Sequence, residues 1–390
     1  MLRRLAVLVV VTALVTVACR PHDPATPILP LSTDGARIVD ARGRTVVLEG
    51  VSWFGIETET HVPHGLWTRD WTELLAEIDA AGFDTIRLPF SIESLRATST
   101  TSINTSLGAN AELAGLTPLE VMDRIVDEAG RLGLLILLDG HRLDSTRIPE
   151  LWYGDGYSEA DWIDTWTMLA QRYRDRPWVI GADLKNEPHG AATWGSGDPA
   201  TDWRLAAERA GNAIGAVNPD WLIVVEGVEG PVPGQQLPGH WWGGNLEAAR
   251  AHPVRLDVPD KLVYSVHEYG PGVYDQAWFS DPDVAATLAH RWAVGFDWLV
   301  DEDIAPVLVG EFGGREVGPD TVEGRWQRQL ADHLAAKGIS WTYWSWNPNS
   351  SDTGGVLLDD WRTLDAAKVA LLADLMAAPG PTPTTTAPAP

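Results

Sequence analysis

Several short apolar runs in this chain end in side chains of the kinds that move protons or grip hydroxyl groups. They close as Ile86-Arg87-Leu88-Pro89, Leu138-Asp139-Gly140-His141-Arg142, Leu184-Lys185-Asn186-Glu187-Pro188, Val225-Glu226-Gly227, Ser265-Val266-His267-Glu268-Tyr269, Gly310-Glu311-Phe312-Gly313 and Tyr343-Trp344-Ser345-Trp346. Any one of these polar ends could simply cap a strand. Six successive runs ending in ionisable groups would, if laid side by side, converge on one cavity. Paired carboxyl groups suit hydrolysis of a glycosidic bond, in which one acid arrives protonated for the leaving oxygen and the other, ionised, faces the anomeric carbon. Glu187 and Glu311 can supply that pair from opposite sides of the cavity. Arg87, by charge, and Tyr269, by hydrogen bonding, are placed to hold Glu311 ionised, which predicts a Glu311 carboxyl held below its ordinary range. Asn186 can donate to the sugar 2-hydroxyl, a bond that strengthens in the transition state. His141 and His267 can hydrogen-bond the sugar or tune Glu187, and Trp344 offers a flat floor for the ring.

Such convergence needs parallel strands. The runs Val46–Trp53, Thr85–Pro89, Leu134–Asp139, Val179–Asn186, Leu222–Glu226, Leu262–His267, Pro306–Glu311 and Trp341–Trp344 alternate with amphipathic stretches, among them Arg69–Ala81, Pro118–Leu132, Ala160–Tyr173, Asp202–Val217, Val284–Val300, Thr321–Ala336 and Leu364–Ala377. Thr117-Pro118 reads as a helix start, and Gly82, Gly133 and Gly338 as helix ends. Eight such units predict an α/β fold, a (β/α)8 TIM barrel in one catalytic domain spanning 34–378, with its site at the C-terminal ends of the strands.

Other patterns carry less. His61-Val62-Pro63-His64 lacks further ligands at metal-site spacing, and His267-Glu268 lacks the second histidine of the zinc-protease pattern, so no metal and no cofactor is expected. Glu226 is a third carboxylate, read as lining or structural. The glycines from Gly310 to Gly314 lack the Lys-Ser/Thr of a phosphate loop and read as room for a sugar ring beside Glu311. The chain has 20 Trp against 7 Tyr and 6 Phe, a balance that suits stacking on flat ligands; Trp241, Trp242, Trp278 and Trp346 are candidates for outlying sugar subsites.

Acidic residues outnumber basic ones 54 to 29, a field that repels phosphate backbones and argues against nucleic acid as a partner. Met1-Leu2-Arg3-Arg4 followed by the apolar stretch Leu5 to Val17 reads as a secretory signal over 1–18, too short for a membrane span. Val15-Thr16-Val17-Ala18-Cys19 resembles a lipoprotein box, so the lone cysteine, Cys19, is a candidate for lipidation and a membrane tether. A proline-rich linker over 19–33 and a Pro/Thr-rich tail over 379–390 flank the predicted domain. The expected product is an exported monomer, secreted or lipid-anchored at a bacterial cell surface.

Taken together, Asn186-Glu187-Pro188-His189, Glu311-Phe312-Gly313, Ile86-Arg87-Leu88-Pro89, His267-Glu268-Tyr269 and Trp344-Ser345-Trp346 resemble the family 5 glycoside hydrolases. The likeness runs from Val51-Ser52-Trp53-Phe54-Gly55 to Asp359-Asp360-Trp361. It is strongest to the bacterial endo-β-1,4-glucanases, at His64-Gly65-Leu66-Trp67, Leu116-Thr117, Asp202-Trp203-Arg204-Leu205-Ala206, Trp241-Trp242-Gly243-Gly244-Asn245-Leu246 and Trp346-Asn347-Pro348. The resemblance implies a retaining endo-β-1,4-glucanase with Glu187 as acid/base and Glu311 as nucleophile. It implies a β-glucan substrate bound by Arg87, His141, Asn186, His267, Tyr269, Trp344, Trp67 and Trp242. The same barrel and glutamates also serve mannan, xylan, xyloglucan and mixed-linkage glucan, and a non-hydrolytic glycan-binding protein is the reading from another class. One departure is Gly140, where relatives carry a bulkier polar residue; the segment Leu143 to Trp152 after it is also altered.

Overall fold

A computed structural model describes residues 26–378. The signal segment, Cys19 and the C-terminal tail lie outside the described residues. Three short strands come first: β1 (Ser32–Asp34), β2 (Arg37–Val39) and β3 (Thr45–Val46), paired antiparallel in that order. Eight parallel strands follow and close on themselves: β4 (Glu49–Ser52), β5 (Thr85–Ser91), β6 (Leu135–Arg142), β7 (Val179–Asp183), β8 (Leu222–Glu226), β9 (Leu262–His267), β10 (Val307–Phe312) and β11 (Ser340–Tyr343). The predicted (β/α)8 barrel is therefore the observed fold. Several strand edges shift by one to three residues, two of them with consequences. Val46 belongs to the small sheet rather than to the first barrel strand, and Asn186 lies three residues past the end of β7.

The helices between and after these strands are α1 (Trp71–Ala80), α2 (Ile92–Arg96), α3 (Pro118–Leu132), α4 (Glu159–Arg172), α5 (Trp203–Val217), α6 (Val284–Trp292), α7 (Trp298–Asp301), α8 (Val322–Lys337) and α9 (Ala366–Ala377). Helix α3 starts and stops as its sequence dictates. Thr117 and Glu120 form a reciprocal capping box ahead of Pro118, and Gly133 closes the helix at φ 86°. The single helix expected over Val284–Val300 is instead interrupted by a wider π-helical turn at Ala293–Asp297. That turn buries Phe296 and brings Asp297 Oδ1 to 2.8 Å from His333 Nε2.

Side chains alternate along each strand, and the two faces meet different surroundings. Outward residues such as Ile86, Leu88, Ile136, Leu138, Ile223, Val225 and Val266 join the apolar layer between barrel and helices. Inward residues near the strand starts, Leu135, Leu137, Ile180, Leu222, Val224, Val263 and Leu308, form a second core inside the barrel. The small sheet lies across this end, with Leu31 and Ile38 packed into that second core and Leu31 O accepting from Lys261 Nζ at 2.7 Å. Leu31 and Ser32, which the sequence assigned to a linker ending at 33, are thus part of the fold: Leu31 is 1% exposed.

Candidate active site

At the opposite end of the barrel the inward positions become polar. Two steps beyond Leu135 and Leu137 stands Asp139; beyond Leu222 and Val224, Glu226; beyond Val263 and Ser265, His267. Glu311 would face outward by strict alternation. A bulge between Val309 and Glu311, where β9 advances one residue and β10 two, turns it inward. Gly310 makes this possible: a Cβ there would stand 2.7 Å from Ser265 Oγ and 3.2 Å from His267 Nε2.

Arg87 is the hub. Its side chain is fully buried, with Nη1 2.5 Å from Glu311 Oε1 and 3.0 Å from Asp139 Oδ2, Nε 2.9 Å from Asp183 Oδ2, and Nη2 2.9 Å from Asn186 Oδ1 and 3.4 Å from Glu226 Oε1. Tyr269 Oη donates to the other Glu311 oxygen at 2.6 Å. Asn186, its oxygen fixed by Arg87, keeps a buried Nδ2 with no protein partner. Glu187 lies just beyond β7 at φ +53°, a region non-glycine residues occupy only where the surroundings enforce it. His267 Nδ1 is 3.0 Å from Glu187 Oε1 and 3.6 Å from Glu311 Oε2. One carboxyl oxygen each of Glu187 and Glu311 and a nitrogen of His267 lie within 4.8 Å of one another, as do ligating atoms of Asp139, His141 and Glu311. The positive charge that such clusters attract comes from Arg87, which touches both Asp139 and Glu311.

Burial raises the proton affinity of three carboxyl groups of the site. It pushes Asp139 up to about 7 and Asp183 up to about 8, against the pull of Arg87. His141 is driven down to about 4 by burial, whereas at His267 the carboxylates of Glu226, Glu311 and Glu187 overcome burial and hold the ring's proton tightly. Glu311 corrects an expectation. Burial raises its carboxyl above the ordinary range, and the opposing pull of His267 and Arg87, weakened by the nearby Glu187 charge, does not reverse this.

The mouth opens into a cleft of about 1190 Å³ lined by Glu187, Glu311, His141, Tyr269, Trp344, Trp241 and Trp242, among others. Trp344 lies nearly parallel to Phe54 and His141, with ring centroids 5.1 and 5.3 Å apart. Trp242 is 40% exposed and rests on the His189 ring at 3.6 Å. Trp67 stands outside this lining, 36% exposed and edge-on to His64 and Trp361. Trp346 is no subsite: it is fully buried against Phe83. Nor do the glycines after Glu311 leave room for sugar. The space above Gly313 holds the Trp344 carbonyl, and that above Gly314 the Glu323 carboxyl. The substitution at Gly140 likewise faces away from the cleft, since a Cβ there would press on Leu184 O at 2.7 Å and Trp166 at 3.0 Å.

Residues 39–350 match the family model Cellulase (glycosyl hydrolase family 5). The chain belongs to glycosyl hydrolase family 5. It is 48% identical over 344 residues to an endoglucanase of Paenibacillus polymyxa, covering 88% of this chain and 86% of that one. It is 41% identical over 360 residues to the major extracellular endoglucanase of Xanthomonas campestris pv. campestris, covering 92% and 74%. The catalytic domain of the latter superposes with TM-score 0.83 at 42% identity, covering 88% of this chain and 99% of that domain. A cellotetraose complex of the endocellulase from Pyrococcus horikoshii gives TM-score 0.82 at 42% identity, covering 90% and 100%.

Within this family 5 barrel, the residues that sequence reasoning left without a role are those that hold others in place. Asp183 sits inside the apolar run of β7, where a charge among buried neighbours was itself a signal, and in register beside Asp139 it clamps Arg87. Lys185 is buried with Nζ donating to Pro149 O and Asn186 O at 2.7 and 2.8 Å. His64, considered for metal binding, has both ring nitrogens occupied, by Thr58 Oγ1 at 3.0 Å and Asn349 Nδ2 at 2.9 Å.

Proposed function

We propose that this family 5 enzyme is a retaining endo-β-1,4-glucanase acting on cellulose-type β-glucan, with Glu187 as acid/base and Glu311 as nucleophile. The observation that carries the reading is the approach of the two carboxyl groups, whose nearest oxygens lie within 4.8 Å. Retaining pairs stand about 5–5.5 Å apart, whereas inverting pairs leave about 6.5–9.5 Å for a water. Glu187 protonates the leaving oxygen while a Glu311 oxygen bonds to the anomeric carbon; the glycosyl-enzyme is then cleaved by a water that gives its proton back to Glu187. Arg87 and Tyr269 each hold one oxygen of Glu311 and so fix the line of attack. The unpartnered Asn186 amide is suited to the 2-hydroxyl, His141 to a neighbouring hydroxyl, Trp344 to the ring at the cleavage point, Trp242 to a sugar within the cleft and exposed Trp67 to one beyond its lining. His267, fully buried with both ring nitrogens facing carboxylates, acts on Glu187 rather than on sugar. The relatives named as endoglucanases, and the cellotetraose bound by the Pyrococcus endocellulase, favour β-1,4-glucan over mannan.

No cofactor enters this scheme, and the enzyme is read as a monomer exported through its N-terminal signal, with Cys19 as the site of a lipid tether. The extracellular relative from Xanthomonas supports export, and no helix among the described residues is long and apolar enough to cross a membrane. The test is proton NMR of cellohexaose hydrolysis beside a mannan control. The first-formed product should carry the β-anomer from internal cleavage, with little turnover of mannan. Initial release of the α-anomer would overturn the mechanism, and preferential mannan cleavage the substrate.

A further inference from the structure

We propose that Glu226, at the end of β8, is the positioning residue for Glu187, gripping it by backbone and side chain at once; this rests on the reading of Glu187 as acid/base. The Glu226 side chain is fully buried. Its Oε2 accepts the Glu187 N–H at 2.8 Å. Its Oε1 lies 3.2 Å from His267 Nε2, and His267 Nδ1 lies 3.0 Å from Glu187 Oε1. The contacts close a ring that leaves Glu187 at its amide and returns to its carboxyl. The strained φ of +53° at Glu187 needs restraint on both sides of the residue. His189 Nδ1 holds the carbonyl side at 2.7 Å, and Glu226 holds the N–H side. Gly243 keeps the space open, because a Cβ there would overlap Glu226 Oε2 and stand 3.4 Å from Glu187 Cα. The charge that Glu226 places beside His267 helps to keep that ring a cation whose Nδ1 faces Glu187; the approach of Nε2 to Glu226 is an ion pair rather than an aligned hydrogen bond.

A residue that acts through the acid/base matters in proportion to how much the leaving group needs a proton. The experiment compares kcat/KM for a series of aryl β-cellobiosides, from 2,4-dinitrophenyl, which departs unprotonated, to phenyl, which does not. For Glu226→Ala we expect a loss of about 100-fold on the phenyl substrate and less than about 3-fold on the dinitrophenyl one. Glu226→Gln keeps an acceptor for the Glu187 N–H and should lose about 10-fold on the phenyl substrate. Gly243→Ala leaves every polar group of the ring in the sequence but displaces Glu226, and should reproduce the same slope. If Glu226→Ala does not fold, the other two variants decide the matter. An equal loss on all leaving groups would make Glu226 merely structural, and no loss would remove it from the mechanism; either overturns the proposal. Glu187→Ala is the reference: if it lacks the steep leaving-group dependence, the acid/base assignment itself fails, independently of Glu226.

Discussion

The two ends of the barrel are built from the same strands and share almost nothing chemically. Along β6 the inward side chains run Leu135, Leu137, Asp139; along β8, Leu222, Val224, Glu226; along β9, Val263, Ser265, His267. One step of two residues, about 7 Å, separates an oily floor sealed by the small sheet from a mouth where Arg87 is crowded by four carboxylates. The floor gains by excluding water. The mouth gives up stability, because buried ion pairs seldom recover their desolvation, and obtains fixed charges where charge develops. Stability and chemistry are thus divided along each strand rather than between regions of sequence.

The division is tested most severely by Glu311→Gln. It should lower kcat on cellohexaose on the order of 10⁴-fold while leaving the melting temperature at or above that of the parent; a large fall in melting temperature would mean that the mouth also holds the fold. Arg87→Leu probes where the two roles meet. Because it strands several buried carboxylates, it should cost about 3–5 kcal/mol in urea unfolding as well as activity, and a variant as stable as the parent would show that these acids take up protons in place of the guanidinium. Leu137→Ala, on the floor, should cost about 2–4 kcal/mol with kcat unchanged at 25 °C; an equal loss of kcat would break the division from the other side.

Smaller effects sharpen the picture. His64, buried at the rim, is held down to about 4 from an ordinary 6.5. Its unfolded form takes up a proton before its folded form does. The stability this contributes is therefore present above pH 6.5 and lost as the pH falls toward 4, by up to about 1.4 kcal/mol per unit. Buried Asp139 and Asp183 work in the opposite sense, so the measurement is the difference between parent and His64→Gln, which should lose less between pH 6.5 and 4. Smallest is Trp242→Ala, expected to raise KM for cellohexaose about 2- to 10-fold through loss of one stacking face, with kcat/KM for a dinitrophenyl cellobioside unchanged.

The strand-end residues were legible because a charge at the close of an apolar run is expensive unless it serves something, and because eight runs with helices between them leave few architectures. Arg87 and Tyr269 on Glu311, and Asn186 beside Glu187, were found for that reason. What stayed hidden depended on quantities a linear reading does not contain. The inward turn of Glu311 comes from a bulge, which breaks the alternation used to assign faces. The rise in the Glu311 carboxyl comes from a depth of burial that no motif encodes. Gly313 and Gly314 looked like space for a ligand but admit the chain's own atoms. Leu31 looked like linker because the prolines around it outweighed a single leucine, and only the barrel floor gives that leucine something to cover.

The small sheet across the floor also sets a direction in space. The described chain enters the fold there through Leu31, and it ends there too, since Met376 near the end of α9 lies over Gly82 in the turn that leads into β5. Both ends of the described chain therefore lie on the face opposite the cleft. The substrate cleft thus opens on the side of the barrel away from the points where the described chain begins and ends.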